Sequence, residues 1–400
     1  MTVNFLTFWA LPIAGMGLTW KHLLRPVLEP VYVFLDQSVM VRRFAENFVY
    51  SNPQHADFFV TSVLLLLNFV VGMAVLLYWQ FSTGSLPAWL IALYYCSWVG
   101  TGGRMMGAAY ALAHREGHNA NLYKRGIRDS LGNVFENWIG IFFGNIPWNF
   151  STSHTRIHHS LDGGYGDTFY LWDLNRASVA DFMLYVSRIF LHMIGYSSLS
   201  YFNGHGQMKA KERLSWGIVR YVATGAVVLA VTRSPIFVFW ILLQPLFCMS
   251  YFLALLNFGF HGFLEYDENG APIPCVNATT IVDGDDDYWG EDDHMSHHYN
   301  TNVYFRDLKE LQQSKDAEFK KHKASVFHEI SIVELSILIV LGVWDRLADK
   351  YVDHSGSLSK QEIMAMLKSR AERTELSFEA YQAFLNNPTK EARASAKKNK

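Results

Sequence analysis

Nine of the 16 histidines in this chain fall into three tight clusters and one single position: His114 and His118; His154, His158 and His159; His261; and His294, His297 and His298. Clustered imidazoles at helical spacing suit iron, copper, nickel or zinc. His114 and His118 are four residues apart, which puts both rings on one helix face. His294, His297 and His298 follow the i, i+3, i+4 pattern that turns three rings toward a common point, and Asn257 and His261 are again four apart. His154 and His159 fit less simply, because on a regular helix they lie roughly 140° apart around the axis. Either the turn there is distorted, or the two rings serve different ions. A lone His261 would read as a satisfied buried ring, but imidazoles gathered in clusters lack enough donors to satisfy one another without a metal. His22, His55, His192, His205, His322, His328 and His354 have no such partners and read as non-ligands.

The elements that carry these residues are apolar and long. No charged residue occurs between Asp57 and Arg104, and the interval reads as two spans, near 58–80 and 87–108, separated by a Ser-Thr-Gly-Ser-Leu-Pro turn. A second apolar pair, 214–232 and 235–258, is broken by Arg233, Ser234 and Pro235, with Arg220 placed to snorkel. Segment 4–20 is a further span or an interfacial helix, without a convincing signal-peptide cleavage site. Stretches 182–202 and 331–344 mix apolar residues with Arg188, His192 and Glu334 and are expected to lie along a surface without crossing. The chain is half apolar and only 18% charged, low for a soluble enzyme, and its net charge of −2 gives no basic field for nucleic acid. Cys96, Cys248 and Cys275 form no CxxC pair, so histidine is the metal chemistry on offer.

Lys21, Arg25, Arg42 and Arg43 precede the first hairpin, and Lys209, Lys211 and Arg213 precede the second. By the positive-inside rule these ends, and the multi-histidine clusters with them, face the cytosol. The expected fold is an all-helical integral membrane protein with about four transmembrane helices in two hairpins and a cytosolic helical cap. Its parts are an N-terminal segment 1–57, a membrane domain 58–305, and C-terminal helices with a basic tail, 306–400. The ending Lys397-Lys398-Asn399-Lys400 is similar to a dilysine retrieval signal, which implies the endoplasmic reticulum; a solvated basic tail is the plainer reading.

The motifs HREGH at 114–118, HTRIHH at 154–159, NFGFH at 257–261 and HMSHH at 294–298 resemble those of the membrane fatty acyl desaturase and hydroxylase superfamily, whose non-haem di-iron centre is held by three histidine boxes. The likeness covers roughly 58–305. It implies that His114, His118, His154, His158, His159, His261, His294, His297 and His298 ligate two iron ions, and that Asn257 holds one of them through a water. The first two boxes each have three intervening residues where some relatives have four and two, so their spacing selects no substrate subgroup. The HisProGlyGly motif of a fused cytochrome b5 domain does not occur, which implies a separate electron-donor protein of the cytochrome b5 or ferredoxin type. The other implied partners are the lipid bilayer and a long-chain acyl substrate.

Two ferrous ions held by neutral imidazoles keep most of their charge and depend on surrounding groups for balance. With O2 and external electrons such a pair supplies an oxidant for an unactivated methylene, and the protein's task is placement. The expected reaction is fatty acyl desaturation; a lipid or alkane hydroxylase is the alternative on the same scaffold. A histidine-rich metal transporter or sensor would need ionisable residues deep in its spans, and 58–103 has none.

Arg115, Glu116, Asp129, Glu136, Asp162, Asp167 and Asp173 are candidates to orient ligand rings through their other nitrogen, or else ordinary loop ion pairs. The stretch from Trp138 to Trp148, with Phe142, Phe143 and Pro147, lines a substrate entrance or anchors in the interface. The acidic run Asp283, Asp285, Asp286, Asp287, Glu291, Asp292 and Asp293 reads as a solvated loop, with two sharper alternatives: docking of a basic electron donor, and metal ligation by Asp293. Sequons at Asn149 and Asn277 are expected to stay unglycosylated if the site is cytosolic.

Overall fold

The computed structural model describes residues 25–100, 104–161, 163–268, 272–284, 287–301 and 303–374, and those residues are mostly helical. Segment 4–20, Asp162, Asp285, Asp286 and the 397–400 ending lie outside them. Among the described residues, three helices are long and apolar enough to cross a membrane: Pro53–Thr83, Met208–Thr232 and Pro235–Phe260.

The expected second span does not run as one helix. Ala88–Val99 has 12 residues, and Gly100 at φ 72 leaves the helical conformation before a new helix starts at Arg104. Twelve residues are short of a crossing. The turn between the first two helices does form as read: Gly84, at φ 76, closes Phe59–Thr83 by donating to Gln80 O. Across that turn Trp79 meets Trp89 edge-on at 5.2 Å. Arg233 takes a left-handed φ of 52, Ser234 caps the next helix through Phe237 N, and Pro235 occupies its first turn.

The chain divides into two compact units. The first comprises 1–155, 193–199 and 207–250. In it Gly217, on Met208–Thr232, lets the helix approach Pro147 so closely that a Cβ would stand 2.0 Å from Pro147 O. Arg220 on the same helix lies 3.5 Å over the Trp138 ring, a cation–π contact at the end of the 138–148 stretch. Trp138 is exposed, whereas Phe143 and Ile146 are buried and Phe143 stacks on Trp98.

The second unit comprises 156–192, 200–206 and 251–400. Its core includes Phe263, Cys275, Phe327, Leu335, Ile339, Leu347 and Leu367. A short parallel pair, Thr280–Val282 with Val326–His328, runs through it in the register Ile281 to Phe327. Two helices expected on a surface each bury one face, and the second, Ile332–Val340, belongs to this core. On Val179–Met193, Tyr185, Val186 and Ile189 are fully buried, Phe182 packs on Tyr251 and Phe258, and Arg188 forms a buried pair with Asp173 at 2.6 Å. On Ile332–Val340, Leu335 and Ile339 are buried while Glu334 reaches Arg346 at 2.8 Å. The charged residues that suggested a surface are satisfied by partners that the local sequence does not reveal.

Helices Trp344–Lys350 and Lys360–Glu372 are joined by a loop in which Asp353 accepts from Ser355 N and Leu358 N, and Gly356 sits at φ 64. Counted from Tyr351 to Glu362, the layout is that of a helix–calcium-loop–helix, but the first ligand position holds Tyr351, edge-on to Phe327, and Glu362 caps Ser359. The loop serves as a connection that sets the two helices against each other.

Candidate metal centre

In the second unit, His158, His261, His294 and His298 each offer a ring nitrogen, all within 4.8 Å of one another. His294 Nε2 lies 2.9 Å from His261 Nε2 and 3.0 Å from His298 Nε2. A neutral imidazole nitrogen has one proton or one lone pair, so these contacts cannot both be ordinary hydrogen bonds. The far sides of two rings fix their tautomers. His158 Nδ1 is 2.8 Å from Asp167 Oδ2, and His261 Nδ1 is 3.1 Å from Asn277 O. An ionised carboxylate and a carbonyl only accept, so each ring carries its proton on Nδ1 and turns an Nε2 lone pair toward the cluster. Burial, then the neighbouring imidazoles, push the His261 and His294 pKa values well below the usual range, which keeps both rings neutral.

Each candidate ligand is placed by its own element. His261 directly follows Gln244–Phe260 and donates from its N to Asn257 O. Gly163, at φ 74, lies so near that a Cβ there would stand 3.4 Å from His261 Nδ1. His294 opens the helix His294–Tyr299, capped by Asp293 through Ser296 N. Asp167 is fully buried, which alone would raise its pKa. Its bonds from His158, Phe169 N and Gly163 N outweigh burial and hold the carboxyl below the usual range. In the same unit His159 Nε2 and His297 Nε2 meet at 3.2 Å.

In the first unit, His114 Nε2 lies 3.0 Å from His118 Nε2 and 2.8 Å from His154 Nε2. One nitrogen again faces two others. The angular conflict between His154 and His159 is resolved by the backbone: Phe150–His158 is a π-helix, whose i→i+5 repeat brings residues five apart toward one face. The distorted turn is therefore real.

Of the acids expected to orient rings, Asp167 does so directly. Glu116 and Glu136 are fully buried and instead tie backbone segments together. Glu116 accepts from Tyr123 Oη at 2.6 Å and Glu136 N at 2.7 Å, and Glu136 accepts from Ser151 N at 2.7 Å. Burial pushes the Glu116 carboxyl up to about 8 despite these bonds. Asp173 pairs with Arg188, and Asp129 pairs at the exposed surface with Arg125 and Arg128. In the acidic run, Asp283 and Asp287 are exposed, but Asp292 and Asp293 are buried. Asp293 is taken up by Thr280 Oγ1, Gln312 Nε2 and Ser296 N, so it serves the backbone of the third box.

His192 stands outside both imidazole groups. It is bonded to Thr168 Oγ1, packed on Phe169, and brought by burial to a pKa of about 4. His205 stacks on Tyr201 at 3.9 Å. A metal suits the donor set present: lone pairs of His158 and His261 aimed inward, and single nitrogens of His294 and His114 each shared between two neighbours. Asn257 adds a buried amide whose Nδ2 has no hydrogen-bond partner, at the helix end that carries His261. Comparison with known protein families, with curated proteins and with solved structures finds no match.

Proposed function

We propose that this chain is a membrane-bound di-iron oxidoreductase acting on lipid, and specifically a fatty acyl desaturase that uses O2 and electrons from a separate cytochrome b5 or ferredoxin type donor. The observation that carries the reading is the four-imidazole group in which Asp167 and Asn277 fix the tautomers of His158 and His261, in a chain whose described residues include three helices suited to a membrane. His158, His261, His294 and His298 would hold one iron. His114, His118, His154, His159 and His297 are the other proposed iron ligands, and Asn257 would hold one iron through a water. The irons supply the oxidising power for a methylene C–H bond.

The chain's own residues do the placing. Asp167 keeps the His158 proton at Nδ1, and the Asn277 carbonyl does the same for His261, so neither ring competes for a proton on its metal side. Burial keeps the His261 and His294 rings neutral. The exposed apolar helix surfaces that include Leu67, Val70, Val71, Val222 and Val227 lie in the bilayer from which an acyl substrate would enter. The basic flanks support a cytosolic side for the histidines, and the membrane proposed is that of the endoplasmic reticulum.

The test is mass spectrometry of lipids from yeast expressing the chain beside its His297→Ala variant. A product two hydrogens lighter than its precursor, absent in the variant, is expected. A product one oxygen heavier would make the chain a hydroxylase, and a product persisting in the variant would remove His297 from the ligand set.

A further inference from the structure

Arg176 is fully buried in the second unit, and its guanidinium donates to three main-chain carbonyls: Nε to Gly262 O at 3.1 Å, Nη1 to Leu174 O at 2.6 Å and Nη2 to Arg370 O at 2.8 Å. Gly262 directly follows the ligand His261, and Arg370 belongs to the C-terminal helix Lys360–Glu372. Two backbone bonds reinforce the tie, from Arg176 N to Ala371 O at 3.0 Å and from Leu264 N to Arg370 O at 3.1 Å. The accepting carbonyls belong to the last turn of that helix, where no intrahelical donor remains for them. The Arg370 side chain completes the lock, reaching Glu265, Lys323 O and His322 O. Trp172 Nε1 donates to His261 O at 3.2 Å, so the carbonyls of the ligand and of the residue after it are both held from the same loop.

We infer that Arg176 is a positioning residue for His261, and that through it the C-terminal helix Lys360–Glu372 forms part of the metal-binding framework. Burying a guanidinium is costly unless its donors are used, and here one is used on the residue that follows the ligand and another on the C-terminal helix. Burial lowers the Arg176 pKa only to about 10, so the cation persists at neutral pH. Lysine cannot replace it: an ammonium is a point donor, whereas the planar fork reaches carbonyls in three directions. The term "ligand" for His261 rests on the function proposed above; the clamp itself rests on the hydrogen bonds alone.

The test uses the full chain in detergent, with cobalt(II) as the metal probe and hydrogen–deuterium exchange as the readout. In the metal-free protein, Arg176→Lys should accelerate exchange at the Leu264 amide and in the last turn of Lys360–Glu372 by tenfold or more. The Glu136–Ser151 region should keep its wild-type rate. Cobalt bound per chain should fall from two to one in the same variant. The wild-type protein gives a second arm that survives a misfolded variant: because coupling is reciprocal, cobalt loading should slow exchange in 365–372. Unchanged exchange at Leu264 in Arg176→Lys, or no response of 365–372 to bound cobalt, would overturn the inference. Wild-type protein that binds no cobalt, with the exchange changes of the variant as predicted, would leave the clamp standing and remove the metal function instead.

Discussion

His158 shows how one side chain is made ready for a metal. Its Nδ1 is held by Asp167, whose carboxyl is buried yet kept below the ordinary carboxylate range. Replacing Asp167 by Asn removes the charge that fixes the tautomer, and iron affinity should fall about 10–100-fold in a chelator competition; equal affinity would detach Asp167 from the site. A depressed carboxylate pKa contributes stability that is fully present above the unfolded value of 3.8 and is lost as pH falls through the lower folded value. The melting-temperature gap between wild type and Asp167→Asn should therefore be constant above pH 3.8 and narrow below it. Glu116 has the opposite character. With its carboxyl pushed up to about 8 it is protonated at neutral pH, so Glu116→Gln should be tolerated. Glu116→Ala, which strands Tyr123 Oη and Glu136 N, should cost about 1–3 kcal/mol in a denaturation experiment. Equal losses in both variants would contradict the protonated state.

At the scale of elements, the π-helix Phe150–His158 carries the second box and its register. Deleting Thr155 should return it to an α-helix and swing His158 and His159 by about 100° relative to His154. Iron should be lost from the purified variant although it still inserts in the membrane, and retention of all iron would show that the wide turn is not needed. The sequence makes the boxes legible because i, i+4 spacing alone places His114 with His118 and His294 with His298. It signals the wide turn only as a misfit between His154 and His159. Hydropathy does not register Gly100, which ends the helix Ala88–Val99 at φ 72 within the 87–108 stretch. Arg176 carries no signal at all, since the residues it holds lie 86 and 194 positions away. The C-terminal helix did offer one, in the spacing of Ile363, Leu367 and Ala371, all buried, but its polar composition hid its place in the core.

For the whole molecule, the side of the membrane that the histidines occupy is the open geometric question with a direct answer. The natural sequons cannot supply it: Asn149 and Asn277 are both 5% exposed, and Asn277 Oδ1 is engaged by Glu265 N. Neither should be glycosylated on either side. A sequon in a flexible insert between Gly84 and Ser85 should gain a glycan, and one in an insert at Gly356 should not; the reverse result would invert the proposed orientation. The central claim is that these imidazoles hold a pair of irons, and the metal content and Mössbauer spectrum of the purified, iron-supplied full chain test it most directly. The account predicts two irons per chain with nitrogen-rich ligation, reduced in His261→Ala. Folded protein that takes up no iron, or holds its full complement without His261, would contradict it.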